Sequence, residues 1–350
     1  MLPLPVSIEA NQSIAVERCS GGFKCFSLDR EREPKKSTDM SVRVAVAQLR
    51  PGRSVAELTE RICGHIAEAG RVRAKLAIFP ECATTGYTDN VPSLTTPSEL
   101  RDAERAIAGA CADAQTAAVV GTAWCCDDGS WRNSATVIER NGSILGRQHK
   151  MQLVPTDKWA TPGEALHVFR VAGVGDVSVL ICHDKRYPEL ARLPVLAGSR
   201  LLCYLSAEAW HDDRPLVAAR EPAWDDARLA DEIGAYRAQA QARAVENKVF
   251  VAHANWSAGG APGSDGAELG SHGCSRLITP TGTLVRDPDS GAACEAPIDA
   301  EMLVSAPLAL RDDADALYAQ KSLLDTYALA PWWRAAQPYV RRVGFGEEGV

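Results

Sequence analysis

Val179-Leu-Ile-Cys182-His-Asp-Lys-Arg-Tyr-Pro-Glu189 is the stretch on which the reading of this chain turns. The run Val177 to Cys182 is apolar apart from Ser178, which predicts a buried strand. Pro188 then opens a short helix through Ala197, stopped by Gly198. A cysteine that leaves a buried strand and enters a turn ahead of a helix can have its sulfur exposed and its pKa lowered by backbone amides. Taken alone, such a cysteine is more often a packed core thiol.

Two other places in the chain share this character. Ala77-Ile-Phe-Pro-Glu81 puts a carboxylate directly after an apolar strand and a proline, at the strand ends where open α/β folds build their sites. Arg147-Gln-His-Lys150 ends a hairpin strand in an ammonium. The plain readings are a surface turn carboxylate and a solvated lysine, the usual fate of that residue. Together the three complete a mechanism. A thiolate attacks a carbonyl or cyano carbon, a carboxylate moves the proton to the leaving amine, and an ammonium steadies the oxyanion.

The surrounding pattern says how the chain brings them together. Val42 to Leu49 is an apolar strand, and Ser54-Val-Ala-Glu57 predicts a capping box for a helix striped by Val55, Leu58, Ile62 and Ile66. Leu76 to Phe79 is a short buried strand. Thr96-Pro-Ser-Glu99 caps a second helix with Leu100, Ala103, Ile107 and Cys111 on one face. Ala117 to Trp124 and Ser134 to Glu139 are strands, the latter returning through Asn141-Gly142, a two-residue hairpin signal. The plan then recurs: strands at Val177–Cys182, Leu201–Leu205 and Val249–Ala254, a long helix from Asp225 to Asn247, and a hairpin across Pro280-Thr-Gly282. Strand–helix–strand units closed by a hairpin, twice over, predict two sheets face to face with helices outside, one domain with internal pseudo-symmetry. That domain runs from about residue 40 to 311. Residues 1–39 read as a loosely ordered extension, or as sequence ahead of a true start at Met40. From Leu303 onward, Trp332, Trp333 and Tyr339 make the tail too apolar for a free linker, so it packs on its own domain or on a partner subunit.

Composition excludes several classes. The 350 residues carry 38 basic and 45 acidic side chains, net −7, which argues against a phosphate-tracking nucleic-acid binder. No apolar run approaches the roughly 18 residues of a membrane span, and residues 1–15 lack the marks of a secretory signal, so a cytoplasmic protein is expected. The eleven cysteines are odd in number with no Cys-x-x-Cys spacing, favouring neither a disulfide framework nor zinc. Gly-x-x-x-x-Gly-Lys-Ser/Thr, Gly-x-Ser-x-Gly and His-Glu-x-x-His are absent; no metal or cofactor is expected.

From Val42 to Arg311 the chain resembles the nitrilase superfamily, the carbon–nitrogen hydrolases, on its amidase and N-carbamoyl amidohydrolase side. The matching pieces, in order, are Phe79-Pro-Glu81 with Thr85-Gly-Tyr87, Lys150, Thr161-Pro-Gly163, Cys182 to Glu189, Arg243-Ala-Val-Glu-Asn247 with Ala254-Asn255, and Gly273-Cys-Ser275 before the second hairpin. The resemblance implies an αββα four-layer sandwich, dimerised through sheets and helices, acting on a small amide or N-carbamoyl compound. It implies Glu81 as base, Lys150 as oxyanion-stabilising cation and Cys182 as nucleophile, with the backbone amide of His183 in the oxyanion hole. Many members carry a second glutamate after the lysine; here Asp157 stands nearest, either bracing the site or as a plain loop carboxylate. True nitrilases follow the cysteine with Trp-Glu, so His183-Asp184 favours amides and carbamoyl groups over nitriles. Lys185-Arg186 resembles a pair that holds a substrate carboxylate, unless Lys185 simply faces solvent. Tyr87, Trp159 and Trp210 are candidate pocket walls, and the loop from Glu208 to Asp226 is where substrate identity would be written. The same three residues would serve nitrile hydrolysis or acyl transfer, and a degenerate binding relative is the non-enzymatic alternative.

Overall fold

Along the first strand, β1 (Val42–Gln48), the side chains alternate between two cores. Val44 and Val46 enter a core shared with a second sheet, while Ala45 and Ala47 pack under helices. That period-two division of the apolar run Val44–Ala47 is what a sheet covered on both faces requires. The computed structural model describes residues 41–210, 226–257, 270–310 and 335–344.

β1 leads through α1 (Val55–Arg71) to β2 (Leu76–Ile78), and through α2 (Val91–Leu94) and α3 (Pro97–Ala114) to β3 (Ala117–Cys125). β4 (Trp131–Ile138) and β5 (Ile144–His149) follow. The second half contains β6 (Leu166–Val171), β7 (Gly175–Ile181), α4 (Pro188–Leu196), β8 (Leu201–Leu205), β9 (Ala209–Trp210), α5 (Asp226–Asn247), β10 (Phe250–Ala254), β11 (Gly270–Ser271), β12 (Arg276–Ile278), β13 (Met302–Leu308) and β14 (Val340–Val343). One six-stranded sheet has the order β13-β1-β2-β3-β4-β5 and the other β12-β10-β8-β7-β6-β14. Each has a parallel central trio, β1-β2-β3 and β10-β8-β7, flanked by antiparallel neighbours. The pseudo-symmetry read from the sequence is therefore real at the level of strand direction.

The layers follow from the side chains. Val44, Ile78, Val119 and Val137 of the first sheet meet Phe169, Val179, Ile181 and Leu205 of the second. Leu58, Ile62 and Ile66 of α1 and Ile107 and Cys111 of α3 cover the outer face of the first sheet. Ala191 and Val195 of α4 with Ala240 and Ala244 of α5 cover Leu180, Leu202 and Val251 of the second. This is the expected αββα sandwich. Among the described residues no helix is long and apolar enough to cross a membrane.

Local expectations fare differently. At α3 the capping box forms in both directions, Thr96 with Glu99. At α1 only half of it forms: the Ser54 hydroxyl accepts from the Glu57 amide, but the Glu57 carboxylate turns to the Arg53 amide at 2.9 Å and to Arg61, one turn on, at 2.6 Å. The charged i,i+4 partner competes for the carboxylate that would have closed the box. The hairpin after β4 has a three-residue loop rather than two. Glu139 and Ser143 pair at 2.8 Å, Gly142 N–H donates to Glu139 O, and Gly142 takes φ +82°, the left-handed residue that follows a type I turn. Met302–Leu308, read as the start of a tail, is an edge strand antiparallel to β1, so this part packs on its own domain; Trp332 and Trp333 lie outside the described residues.

Candidate active site

Glu81 lies three residues beyond β2, on a turn pressed against β3. Its position depends on Gly121 of β3, where a Cβ would stand 2.0 Å from the Pro80 carbonyl oxygen and 2.7 Å from Glu81 Cα. The backbone of Glu81 is also tied to the second sheet: its N–H donates to Ser206 O at 3.3 Å, and Trp256 Nε1 donates to its carbonyl at 3.0 Å. Lys150 enters from the opposite side, where β5 ends, its amide bonded to Asn133 O at 2.8 Å.

The two side chains meet with no exposure to solvent, Lys150 Nζ lying 2.7 Å from Glu81 Oε1. Asp157 approaches the same ammonium at 2.7 Å through Oδ2, which also accepts from Val154 N–H at 3.0 Å. Its Oδ1 accepts from Asn133 Nδ2 at 3.1 Å and the Tyr87 hydroxyl at 3.2 Å. Asp157 is thus a buried partner of the lysine and not a plain loop carboxylate. A carboxylate one methylene shorter than glutamate reaches the ammonium from the buried end of the 3-10 turn Pro155–Asp157. Burial opposes the charge on Lys150, but Glu81, Cys182, Tyr87 and Asp157 together outweigh it and hold the ammonium well above the usual lysine range. Burial likewise pushes the Tyr87 hydroxyl up, so it stays a donor.

Cys182 follows β7 with φ +48° and is half-buried. Here the sequence expectation of a lowered pKa is reversed: the thiol is pushed up to about 11. Burial is the main cause and the Glu81 charge adds to it, while Lys150, Lys185 and a hydrogen bond from the Ala207 backbone pull the other way. The backbone amides of the 3-10 turn Cys182–Arg186, the local feature behind that expectation, do not outweigh the burial. Glu81 Oε2, by contrast, is buried without any hydrogen-bond partner. A thiol that keeps its proton and a carboxylate oxygen with nothing to accept thus share one electrostatic neighbourhood.

The turn is held by Asp184, which the sequence reading used only as a mark of amides over nitriles. Its carboxylate accepts from Met151 and Gln152 N–H at 3.1 and 2.7 Å and from Ile181 N–H at 3.2 Å, joining the nucleophile's turn to the segment after Lys150. Arg243 also acts on this turn: its Nε donates to Lys185 O at 2.8 Å. The His183 ring stands edge-on to Tyr187 at 5.7 Å, and burial first, then Arg186, Lys150 and Lys185, lower its pKa.

Lys185 does not face solvent. It is 1% exposed, with its ammonium on Glu208 Oε1, an oxygen that also accepts from the Tyr204 hydroxyl. Its Nζ lies 3.8 Å from the centre of the Tyr236 ring. Arg186 is exposed. Trp159 donates to Thr88 O at 3.1 Å and packs with Trp131 on Val91, Leu100 and Ala123. Trp210 pairs through its backbone with Gly270; its side chain and residues 211–225 lie outside the described residues. Among the described residues no cluster of three or more His, Cys, Asp or Glu is disposed to hold a metal.

Glu208 and Asn133 were missed by sequence reasoning. For Asn133 a signal existed. It shares a strand face with Ala135 and Val137, which enter the sandwich core, so an amide stands where alternation calls for an apolar residue.

Comparison with known proteins bears on what this arrangement belongs to. A solved carbon-nitrogen hydrolase from Helicobacter pylori superposes with a TM-score of 0.69 at 18% identity, covering 83% of this chain and 97% of that one. The NitN amidase of Nesterenkonia sp. AN1 gives 0.62 at 22%, covering 83% and 99%. At such identities these likenesses speak to the fold. In sequence, the chain is 32% identical over 156 residues to an apolipoprotein N-acyltransferase of Geobacter metallireducens, 39% of this chain and 28% of that protein. It is 26% identical over 170 residues to a formamidase of Bacillus thuringiensis, 46% and 50%. It thus spans about half the length of such relatives, or less. The carbon-nitrogen hydrolase family profile, however, matches residues 43–307, from the first strand of the sandwich to the edge strand that closes its first sheet. On that match, the chain is a member of the carbon-nitrogen hydrolase family.

Proposed function

We propose that the protein hydrolyses a non-peptide C–N bond in a small linear amide or N-carbamoyl compound, releasing ammonia through a thioester on Cys182. The observation that carries the reading is the unpartnered, buried Oε2 of Glu81, a carboxylate whose charge acts on the Cys182 thiol and helps push its pKa up to about 11. Such a thiol is almost wholly protonated near neutral pH, so it needs a base that takes its proton as it attacks.

The steps follow from the donors present. Glu81 Oε2 accepts the Sγ proton while sulfur bonds to the carbonyl carbon, whose π pair moves to oxygen. That oxyanion is met by Lys150, which commits two N–H groups to Glu81 and Asp157 and has a third to give, and by the backbone amide of His183. As the tetrahedral carbon collapses, Glu81 returns the proton to the departing nitrogen; the C–N bond breaks and ammonia leaves. Glu81 then takes a proton from water, whose oxygen attacks the thioester, and the acid departs with Cys182 restored as thiol. Asp157 keeps Lys150 charged throughout.

Cys182→Ala is expected to lower turnover by at least about 10⁴-fold, and a slow substrate should leave an acyl mass on the Cys182 peptide of the wild type. An adduct on another cysteine, or an active alanine variant, refutes the assignment. A panel of ω-amides, N-carbamoyl amino acids, N-carbamoyl amines and nitriles, read as ammonia release, identifies the substrate class. Similarity to a protein named as an N-acyltransferase favours one second reading, in which an amine rather than water takes the acyl group. A new amide in place of free acid would mark it.

A further inference from the structure

Glu81 has two carboxylate oxygens, and the proposed reaction uses one. Something must decide which. Oε1 accepts from Lys150 Nζ at 2.7 Å and from Asn133 Nδ2 at 2.8 Å, whereas Oε2 has no partner. A carboxylate held by the lysine alone could turn about its last bond and exchange its oxygens. A second donor from another direction fixes the plane.

Asn133 is fully buried, near the start of β4. Its amide is oriented by its surroundings: Nδ2 faces two carboxylates, and Oδ1 lies 3.8 Å from the Cys82 thiol, which donates to it. The reverse orientation would aim the amide oxygen at two anions. Its two Nδ2 hydrogens go one to Glu81 Oε1 and one to Asp157 Oδ1, and its own carbonyl takes the Lys150 amide at 2.8 Å. One residue therefore touches three buried charged residues: the lysine through its main chain, the two acids through its side chain.

We propose that Asn133 is a positioning residue that locks Glu81 Oε1 away from the reaction and leaves Oε2 as the single proton acceptor. The inference rests on the assignment of Glu81 as the base. An aspartate there would set a third carboxylate against the other two; an aliphatic residue would leave both acids short of a donor.

The test uses two variants, Asn133→Asp, which keeps the shape, and Asn133→Ser, which keeps a smaller donor. The readouts are the pH dependence of kcat/KM and the pH dependence of Cys182 alkylation by iodoacetamide, followed on its own peptide. A hydrogen bond to a charged group corresponds to roughly 10- to 100-fold. Asn133→Asp should therefore lose about that factor in kcat with KM changed less than about threefold, and its acid limb should move to higher pH, because lost donation and added negative charge both disfavour the ionised base. Alkylation of Cys182 should slow in parallel on the acid side, and Asn133→Ser should recover part of both. A lowered Tm with both pH profiles unmoved overturns the proposal, since a merely structural residue would behave that way. The alkylation readout needs no substrate, so a wild type that hydrolyses none of the panel defeats the functional reading and leaves this test standing. Should Asn133→Asp fail to fold, Asn133→Ser alone decides by the same limb.

Discussion

Lys150 and Lys185 are both removed from solvent, at 0% and 1% exposure, and both act electrostatically on Cys182, yet their surroundings drive them in opposite directions. Two carboxylates touch Lys150, with Asn133 and Tyr87 completing the set, and the ammonium is held well above its ordinary range. Among the described residues one carboxylate, that of Glu208, touches Lys185; burial, with Arg186 and Arg276 adding to it, pushes that ammonium well below. Burial by itself therefore does not say what a buried lysine is for. The balance of neighbouring charge does. A cation with a surplus of negative partners can meet an oxyanion without losing its proton, whereas one among guanidiniums is a structural group near its limit.

Replacing each lysine by methionine breaks or sharpens this contrast most directly. Lys150→Met should cost at least about 10³-fold in kcat and, by leaving two buried carboxylates facing each other, about 3–5 kcal/mol of stability. Lys185→Met should cost a similar amount of stability by stranding Glu208, but keep kcat within about tenfold. Adding Glu208→Gln should restore much of its Tm, as removing both partners of a buried pair usually does. Equal losses of kcat would erase the distinction. A rise in KM confined to N-carbamoyl amino acids would instead return Lys185 to the carboxylate-binding role that its position next to Arg186 suggested.

A smaller effect is expected at Asp157, which supplies half of the surplus. Asp157→Asn keeps the outline and removes one negative charge. We expect a kcat loss of roughly 10- to 100-fold and an alkaline limb of kcat/KM moved to lower pH, because Lys150 then releases its proton more easily. An unchanged alkaline limb would show that Glu81 alone keeps the cation charged.

The contrast also marks what sequence can carry. Glu81, Lys150 and Cys182 could be singled out on a local signal, because each is a reactive side chain just beyond a strand, an apolar one for Glu81 and Cys182 and a hairpin strand for Lys150. The α3 cap was legible for the same reason, its partners lying three residues apart. The Lys185–Glu208 pair was not: β8 lies between the two in sequence, and only the return of the chain to the second sheet brings them together. Nor was the direction of the Cys182 shift, because desolvation depends on everything packed around the sulfur, while the backbone amides that argued for a lower value are a local feature. At α1 even a local signal misled, since Arg61 offered Glu57 a stronger partner than the cap.

The smallest effect is expected where the two lysine regions join. Asp184 precedes Lys185 in the chain and holds the amides that follow Lys150, and burial pushes its carboxyl up to about 7 against the pull of those donors and of Lys150. A folded-state pKa above the ordinary aspartate value of 3.8 means that the native protein binds this proton more tightly than the unfolded chain. Between about pH 4 and 7 the native state then carries more protons, so this group's contribution to stability falls as pH rises and levels off above 7. Asp184→Asn should flatten that slope in Tm between pH 4 and 8, even though its amide nitrogen now opposes a backbone N–H and lowers the curve as a whole. Parallel curves for the two proteins would mean that the three backbone donors already keep the Asp184 carboxylate ionised, and that the clasp between the nucleophile's turn and the Lys150 segment is insensitive to pH.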